Sequence, residues 1–214
     1  MSEAENLKNE ICKVVRHLFE RKLIFSLEGN ISARLPGSNT IWITPSMYKG
    51  QIRPENLVKM SLEGEILEAA EDVKPSIEHP MHRAIYKKRS DVNAIVHTHS
   101  PAITGLMLAG VELQPLTVEA ALIIDKVRLV PFAMPGSQTL AELVSEKVEG
   151  GVSALLLQHH GIIGLGGSLW EAVSVVEAIE GIALTQLIAT LLAKRPPTIP
   201  EEALKALKTG KVIE

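Results

Sequence analysis

Two apolar runs that both end in histidine place the strongest restriction on how this chain can fold. Residues 92–96 lead directly into His97-Thr98-His99, and residues 155–157 lead into Gln158-His159-His160-Gly161. Because side chains alternate along a strand, the imidazoles of His97 and His99 point to the same face. Three neutral imidazoles gathered at strand ends are typical of a catalytic metal site that keeps one position open for substrate.

The order of periodic segments indicates a mixed α/β architecture. Residues 4–22 have helical spacing of apolar side chains, and Ser76 is predicted to cap a helix that places Glu78 in its first turn and ends near Arg89. Ser168 is predicted to cap a long helix from Leu169 to about Leu192. Several neighbouring strands are separated only by turns of hairpin length. A mainly antiparallel or mixed sheet flanked by helices is the natural solution.

Composition restricts the class of protein further. The 214 residues, with no linker-like stretch, are expected to form a single domain over residues 1–214. Aromatic residues make up only 3% of the chain and the formal net charge is −3, without a basic stripe, so we expect no nucleic-acid partner. The single cysteine, Cys12, cannot form an internal disulfide, which indicates a reducing compartment.

The sequence also predicts no membrane attachment. The acidic N-terminus lacks the basic-then-apolar plan of a signal peptide. The apolar stretch over residues 179–193 is interrupted by polar side chains and is too short to span a bilayer. We therefore expect a soluble, cytoplasmic protein.

Five short motifs occur in one order along the chain, and together they resemble the class II aldolase/adducin family. They are Gly29-Asn30-Ile31-Ser32, Ile43-Thr44-Pro45-Ser46, Pro75-Ser76-Ile77-Glu78, His97-Thr98-His99 and His159-His160-Gly161. The resemblance implies a three-layer α/β/α fold with a central, mainly antiparallel sheet. It also implies Zn²⁺ or another divalent metal held by His97, His99 and His160, and a homotetramer with active sites between subunits.

The same resemblance implies roles for further residues. Glu78 falls where the aldolases carry a catalytic carboxylate, and the positions of Asn30, Thr44, Ser46 and Ser76 match phosphate-binding positions. The expected reaction is cleavage of a ketose 1-phosphate, such as L-fuculose 1-phosphate, to dihydroxyacetone phosphate and an aldehyde. The alternatives are a sugar-phosphate 4-epimerase, a methylthioribulose-1-phosphate dehydratase and, outside enzymes, a non-catalytic adducin-like assembly module.

Several residues depart from the aldolase pattern. Met47 replaces a glycine found in many aldolases, and Ile77 replaces a second serine, so phosphate binding there has one donor fewer. Lys49 is a candidate source of the missing charge. The tail from Pro196 contains no tyrosine to act as a proton donor, for which Glu119 is an alternative.

Two histidines next to Glu78 have a structural interpretation. His79 and His82 lie three residues apart on the predicted helix, but the histidines at the strand ends already supply a complete metal site. His82 follows Glu78 by four residues, and we expect these two side chains to pair on one helix face.

Overall fold

A single mixed sheet forms the centre of the protein. The computed structural model describes residues 2–193 and 195–209. Eight strands lie in the order β4-β3-β2-β1-β5-β8-β7-β6, and only β6 and β7 pair in parallel. The strands are β1 (Asn30–Ala33), β2 (Thr40–Ile43), β3 (Val58–Ser61), β4 (Ile66–Glu68), β5 (Ala94–Thr98), β6 (Val127–Val130), β7 (Ala154–Leu157) and β8 (Gly161–Gly166).

Helices cover both faces of this sheet. They are α1 (Glu3–Glu20), α2 (His79–Lys88), α3 (Pro101–Leu108), α4 (Val118–Ile123), α5 (Gln138–Lys147), α6 (Leu169–Leu192) and α7 (Glu201–Thr209). Short 3-10 helices occur at Lys49–Gln51, Pro54–Asn56 and Ile124–Lys126. Residues 1, 194 and 210–214 of the predicted single domain lie outside the described residues.

The alternation of side chains along the central strands divides the interior into two apolar cores. On β5, Val96 contributes to the core beneath α1, α3 and α6, and Ile95 contributes to the core beneath α2 and α5. On β8, Ile162 and Ile163 divide in the same way. Since a central strand buries both faces, its sequence reads as continuously apolar. The predicted three-layer α/β/α fold with a mainly antiparallel sheet is confirmed.

The start of α2 differs from the prediction. The helix begins at His79 and its N-cap is Glu78, whose side chain makes no capping hydrogen bond, so the expected cap at Ser76 is wrong. Ser76 is held outside the helix because its amide donates to the carbonyl of Thr44 at 3.1 Å. Pro80 follows in the first turn, where its fixed φ favours a helix start. The Glu78 side chain is therefore free for another role.

Helix α6 has the bounds predicted from the sequence, Leu169–Leu192, with Ser168 as its N-cap, and the apolar stretch over residues 179–193 is only its second half. Its 24 residues are long and apolar enough to cross a membrane by length and composition, a criterion that core helices of soluble proteins also meet. One face is buried against the sheet through Val173, Val176 and Ile179. The opposite face exposes apolar side chains, including Leu184, Ile188, Leu191 and Leu192.

Candidate metal centre and active site

The pairing of β5 with β8 brings the predicted histidines together. Thr98 at the end of β5 lies opposite Ile162, and the turn before β8 carries His160 to the same edge of the sheet. His159 occupies that turn at φ 59°, in the left-handed region. A Cβ at Gly161 would collide with the carbonyl oxygen of Thr98, so only glycine allows this close approach.

The three imidazoles form a compact cluster. His97, His99 and His160 each offer one ring nitrogen, and these nitrogens all lie within 4.8 Å of one another. The Nε2 atoms of His97 and His99 are 3.1 Å apart. Nδ1 of His97 is 3.0 Å from the carbonyl oxygen of Ile162. Since a carbonyl can only accept, Nδ1 carries a proton, which leaves Nε2, the nitrogen that faces the cluster, as the atom that would bind a metal.

The protonation states of two histidines in the cluster, His99 and His160, suit the binding of a cation. Burial, together with the neighbouring His97 and His160, lowers the pKa of His99 to about 3. Burial and His97 likewise lower the pKa of His160 to about 4. Both imidazoles are therefore neutral at pH 7, the form that ligates metals.

Glu78 faces the same point from the start of α2. Its Oε2 lies 3.0 Å from Nε2 of His97, and its Oε1 lies 3.5 Å from Nε2 of His160. Burial raises the pKa of Glu78, but the contacts with His97, His160 and Asn30 outweigh it and bring that pKa to about 2. Oε1 has no hydrogen-bond partner in the described part of the chain. Three imidazole nitrogens and a buried carboxylate fit a divalent cation.

A chain of buried hydrogen bonds holds Glu78 from behind. The amide nitrogen of Asn30 donates to Oε2 of Glu78 at 3.3 Å, so its oxygen accepts from Nε2 of His82 at 2.5 Å. Nδ1 of His82 must then accept, and the hydroxyl of Ser32 donates to it at 2.7 Å. The Tyr86 hydroxyl donates to the carbonyl of Ser32 at 3.0 Å. The expected direct pairing of Glu78 with His82 is wrong, because Asn30 lies between them.

The protonation state of the His82 imidazole follows from its burial. Its side chain is fully buried, and burial lowers the pKa of His82 to about 3. The imidazole is therefore neutral and fixed in one tautomer, with its proton directed at Asn30. Strand pairing explains the position of the amide, since β1 runs beside β5 and Asn30 lies opposite His97. This arrangement agrees with the structural role expected for His82. The partner of His82, Asn30, could not be inferred from the sequence.

A cavity of about 420 Å³ opens onto the cluster. Glu78, His99 and His160 line it, and so do three of the residues assigned to phosphate binding: Asn30, Ser46 and Ser76. Thr44, the fourth, lies behind the cavity, where its hydroxyl oxygen accepts from the amide of Ile31 at 3.1 Å and its carbonyl accepts from Ser76. The structure thus brings the predicted metal ligands, the carboxylate and the hydroxyl residues to one place.

Of two further residues near the metal cluster, Glu28 was not identified from the sequence and Lys49 was named only as a candidate source of charge. Glu28 approaches Nδ1 of His99 at 3.7 Å, on the side away from the cluster. Lys49, considered only as a source of charge, is buried and lines the cavity. Neither residue lies in a run with distinctive periodicity, so no local pattern identifies them.

The remaining acid and hydroxyl candidates lie elsewhere. Tyr86 is buried behind the site at the far end of the hydrogen-bond chain, where burial raises the pKa of its hydroxyl. Tyr48 is partly exposed and packs edge-on against Phe19 with 5.7 Å between ring centroids. Glu119 is exposed in the first turn of α4.

Comparison with known proteins agrees with this fold. The sequence model described as "Class II Aldolase and Adducin N-terminal domain" matches residues 9–187. The chain belongs to the class II aldolase and adducin family. It is an aldehyde-lyase of class II, a family in which dependence on a divalent metal is typical.

Individual relatives show the range of activities. The chain is 32% identical to L-fuculose phosphate aldolase of Methanocaldococcus jannaschii over 188 residues, which is 87% of this chain and 99% of that protein. It is 30% identical to 3-oxo-tetronate 4-phosphate decarboxylase of Haemophilus influenzae over 94% of this chain and 95% of that protein. A solved structure of L-fuculose 1-phosphate aldolase superposes with a TM-score of 0.84 at 27% identity and covers 98% of this chain and 97% of its own.

Proposed function

We propose that this protein cleaves a ketose 1-phosphate, such as L-fuculose 1-phosphate, to dihydroxyacetone phosphate and an aldehyde. The observation that carries this proposal is the placement of Glu78 beside the imidazoles of His97 and His160, at a cavity that Ser46 and Ser76 also line. One end of that cavity suits a cation and a proton transfer, and the other end suits an anion. The relatives named as L-fuculose phosphate aldolases support the same substrate class.

The cation end would supply the charge stabilisation that the reaction requires. A divalent metal held by His97, His99 and His160 would act as a Lewis acid on the carbonyl and hydroxyl oxygens of the substrate and stabilise the enediolate formed on cleavage. Zn²⁺ is the metal we propose, because three imidazoles with an open position form a common catalytic zinc site.

Glu78 is the proposed catalytic base. Its carboxylate takes the proton of the C4 hydroxyl as the bond between C3 and C4 breaks, and it returns that proton to C3 of the dihydroxyacetone phosphate fragment, so atoms and charges balance. When substrate separates the carboxylate from His97 and His160, burial raises the pKa of Glu78 and strengthens it as a base. Asn30 keeps one carboxylate oxygen oriented throughout.

Hydroxyl and amide groups are proposed to hold the phosphate. Asn30, Ser46 and Ser76 face the cavity, and the backbone of Thr44 fixes the position of Ser76. Ile77, which points an exposed apolar side chain there, contributes no side-chain donor. Small hydroxyl side chains near the start of α2 are suited to a phosphate monoester.

The assembly is also part of the proposal. The exposed apolar face of α6 suits contacts between copies of a single domain over residues 1–214, and we propose a homotetramer with active sites at subunit interfaces. We propose a cytoplasmic location without a membrane or nucleic-acid partner, because α6 packs on the sheet and the chain carries no basic stripe.

Decarboxylation is the second candidate, favoured by the relative from Haemophilus influenzae. Loss of CO₂ from a 3-oxo acid 4-phosphate leaves the same enediolate of dihydroxyacetone phosphate that the aldol cleavage produces. The two reactions therefore need the same charge stabilisation, and they differ in the fragment released. Only the aldol cleavage needs a base to remove a hydroxyl proton.

The deciding experiment combines metal analysis with product release. Purified protein is assayed for bound metal and for release of dihydroxyacetone phosphate from L-fuculose 1-phosphate, with and without chelator. We expect chelation to abolish release, and Glu78→Gln to reduce it by about a hundredfold or more while metal stays bound. Glu146→Gln, the same change at an exposed position on α5, is the matched control.

Other results of this experiment would assign a different activity to the protein. Release of CO₂ from 3-oxo-tetronate 4-phosphate without cleavage of the ketose phosphate would assign the decarboxylase. Bound metal without either product would leave the epimerase and dehydratase for testing. Absence of bound metal after zinc loading would refute the metal centre and support a non-catalytic module.

A further inference from the structure

Lys49 is a buried cation at the edge of the candidate active site. Its residue is 2% exposed and begins the 3-10 helix Lys49–Gln51. The ammonium donates to the carbonyl oxygens of Pro45 at 3.2 Å and Met47 at 3.1 Å. In the described residues no carboxylate lies within salt-bridge distance of it.

This arrangement leaves one N–H donor of the Lys49 ammonium without a hydrogen-bond acceptor among the described residues. A lysine ammonium has three N–H donors, and two of them are taken up by backbone carbonyls. Buried charges in folded proteins are usually paired, because the loss of hydration is otherwise not offset. Burial accordingly lowers the pKa of Lys49 to about 8. The position therefore suits a residue that receives an anion from outside the chain.

The surroundings of Lys49 indicate which anion. Lys49 lines the same cavity as Ser46, Ser76 and Asn30, the neutral groups assigned to the phosphate. Within the described lining of this cavity it is the only lysine or arginine, and the acidic side chains there are those of Glu28 and Glu78. Neutral donors alone leave the two negative charges of a phosphate monoester without a counter-charge, and an ammonium supplies one.

We propose that the ammonium of Lys49 binds the phosphate group of the substrate. This inference rests on the proposed function, since it assigns a phosphate monoester to the cavity. The competing interpretation is that Lys49 only holds the loop from Pro45 to Met47 through its two carbonyl contacts.

Binding of inorganic phosphate to the zinc-loaded protein, measured by titration calorimetry, tests the assignment. We expect Lys49→Met to weaken phosphate binding by about tenfold to hundredfold, the range of a charge-assisted hydrogen bond. Lys49→Arg keeps the charge and should recover part of the phosphate affinity that Lys49→Met loses. Lys74→Met is the matched control, because Lys74 is exposed on the adjacent segment and its side chain does not line the cavity.

A second variant controls for the loss of the contacts between Lys49 and the loop from Pro45 to Met47. Lys49→Gln keeps N–H donors for the carbonyls of Pro45 and Met47 but removes the charge. If Lys49→Met unfolds, weakened phosphate binding by a folded Lys49→Gln still supports the proposal. Phosphate affinity equal to the wild type in either folded charge-removal variant would overturn it, as would a wild type that binds no phosphate.

A kinetic comparison separates this proposal from the proposed function. With L-fuculose 1-phosphate, Lys49→Met should raise KM by about tenfold or more, whereas cleavage of unphosphorylated L-fuculose should keep the wild-type kcat/KM. If the wild type cleaves neither sugar but loses phosphate affinity on Lys49→Met, the aldolase assignment fails and the phosphate site stands. If the wild type cleaves the phosphate and Lys49→Met changes neither KM nor phosphate affinity, the aldolase assignment stands and the role of Lys49 is refuted.

Discussion

Replacement of Asn30 by alanine tests how the site holds its carboxylate. The amide of Asn30 is the only group that connects Glu78 to His82 in the described hydrogen-bond chain. Asn30→Ala leaves the Nε2–H of His82 without an acceptor at a position that solvent does not reach. A buried unsatisfied donor costs about 1–3 kcal/mol. The lost bond to Glu78 is long, at 3.3 Å, so it adds about 1 kcal/mol.

The free energy of unfolding should therefore fall by about 2–4 kcal/mol in the metal-free protein. Urea unfolding in the presence of chelator at pH 7.5 measures it. Asn93→Ala is the matched control, because the side chain of Asn93 makes a single hydrogen bond, of 3.4 Å, to the carbonyl of Gly167. We expect this control to lose less than about 1 kcal/mol.

Asn30→Ala should also lose activity, because the carboxylate of Glu78 is no longer held in its orientation. We expect kcat to fall by about tenfold to hundredfold with metal content unchanged, because a mispositioned base loses effective concentration. Equal unfolding free energies for Asn30→Ala and Asn93→Ala would refute the buried chain. A rise in KM for the phosphorylated substrate without any fall in kcat would assign Asn30 to phosphate binding alone.

Three further predictions concern the metal cluster and the packing around it. His99→Ala should reduce bound zinc by about tenfold or more at equilibrium, measured by elemental analysis after dialysis against buffered metal; full retention would contradict the three-histidine site. Because the pKa of His82 is lowered to about 3, the folded state excludes a proton that the unfolded state accepts below pH 6.5. Stability is therefore complete above that pH and decreases on acidification, by about 2 kcal/mol at pH 5 for this one histidine; equal urea midpoints of the metal-free protein at pH 7 and pH 5 would be inconsistent with it. Gly161→Ala should destabilise the protein by about 1–3 kcal/mol, since its Cβ meets the backbone of Thr98. Gly105→Ala, in open space on α3, should instead stabilise by about 0.5–1 kcal/mol, and a similar thermal shift in both variants would contradict the packing argument.

Much of the site could be predicted because its signals are local. The two-residue spacing of His97 and His99 fixes their common face wherever the strand lies, and the helical spacing and cap of α6 fix its start at Ser168. The carboxylate at Glu78 and the hydroxyl residues were found through motif order. Their meeting at one cavity follows from the family fold.

The start of α2 shows where local signals fail. Ser76 has the residue type of a cap, but its amide bonds to Thr44, thirty-two positions earlier in the chain. That contact exists only because the segment around Pro75 pairs with Pro45. The tertiary contact outweighs the capping preference and moves the helix start to His79.

The sequence by itself determined the ligand types, their periodicity and the alternation of helices and strands. Only the tertiary structure decided that Asn30 separates Glu78 from His82, and that Lys49 is buried with no carboxylate of the described residues beside it. The physical reason is the range of the interactions. Periodicity and capping depend on a few neighbouring residues, whereas burial, pKa and hydrogen-bond partners depend on strand register and on segments distant in the chain.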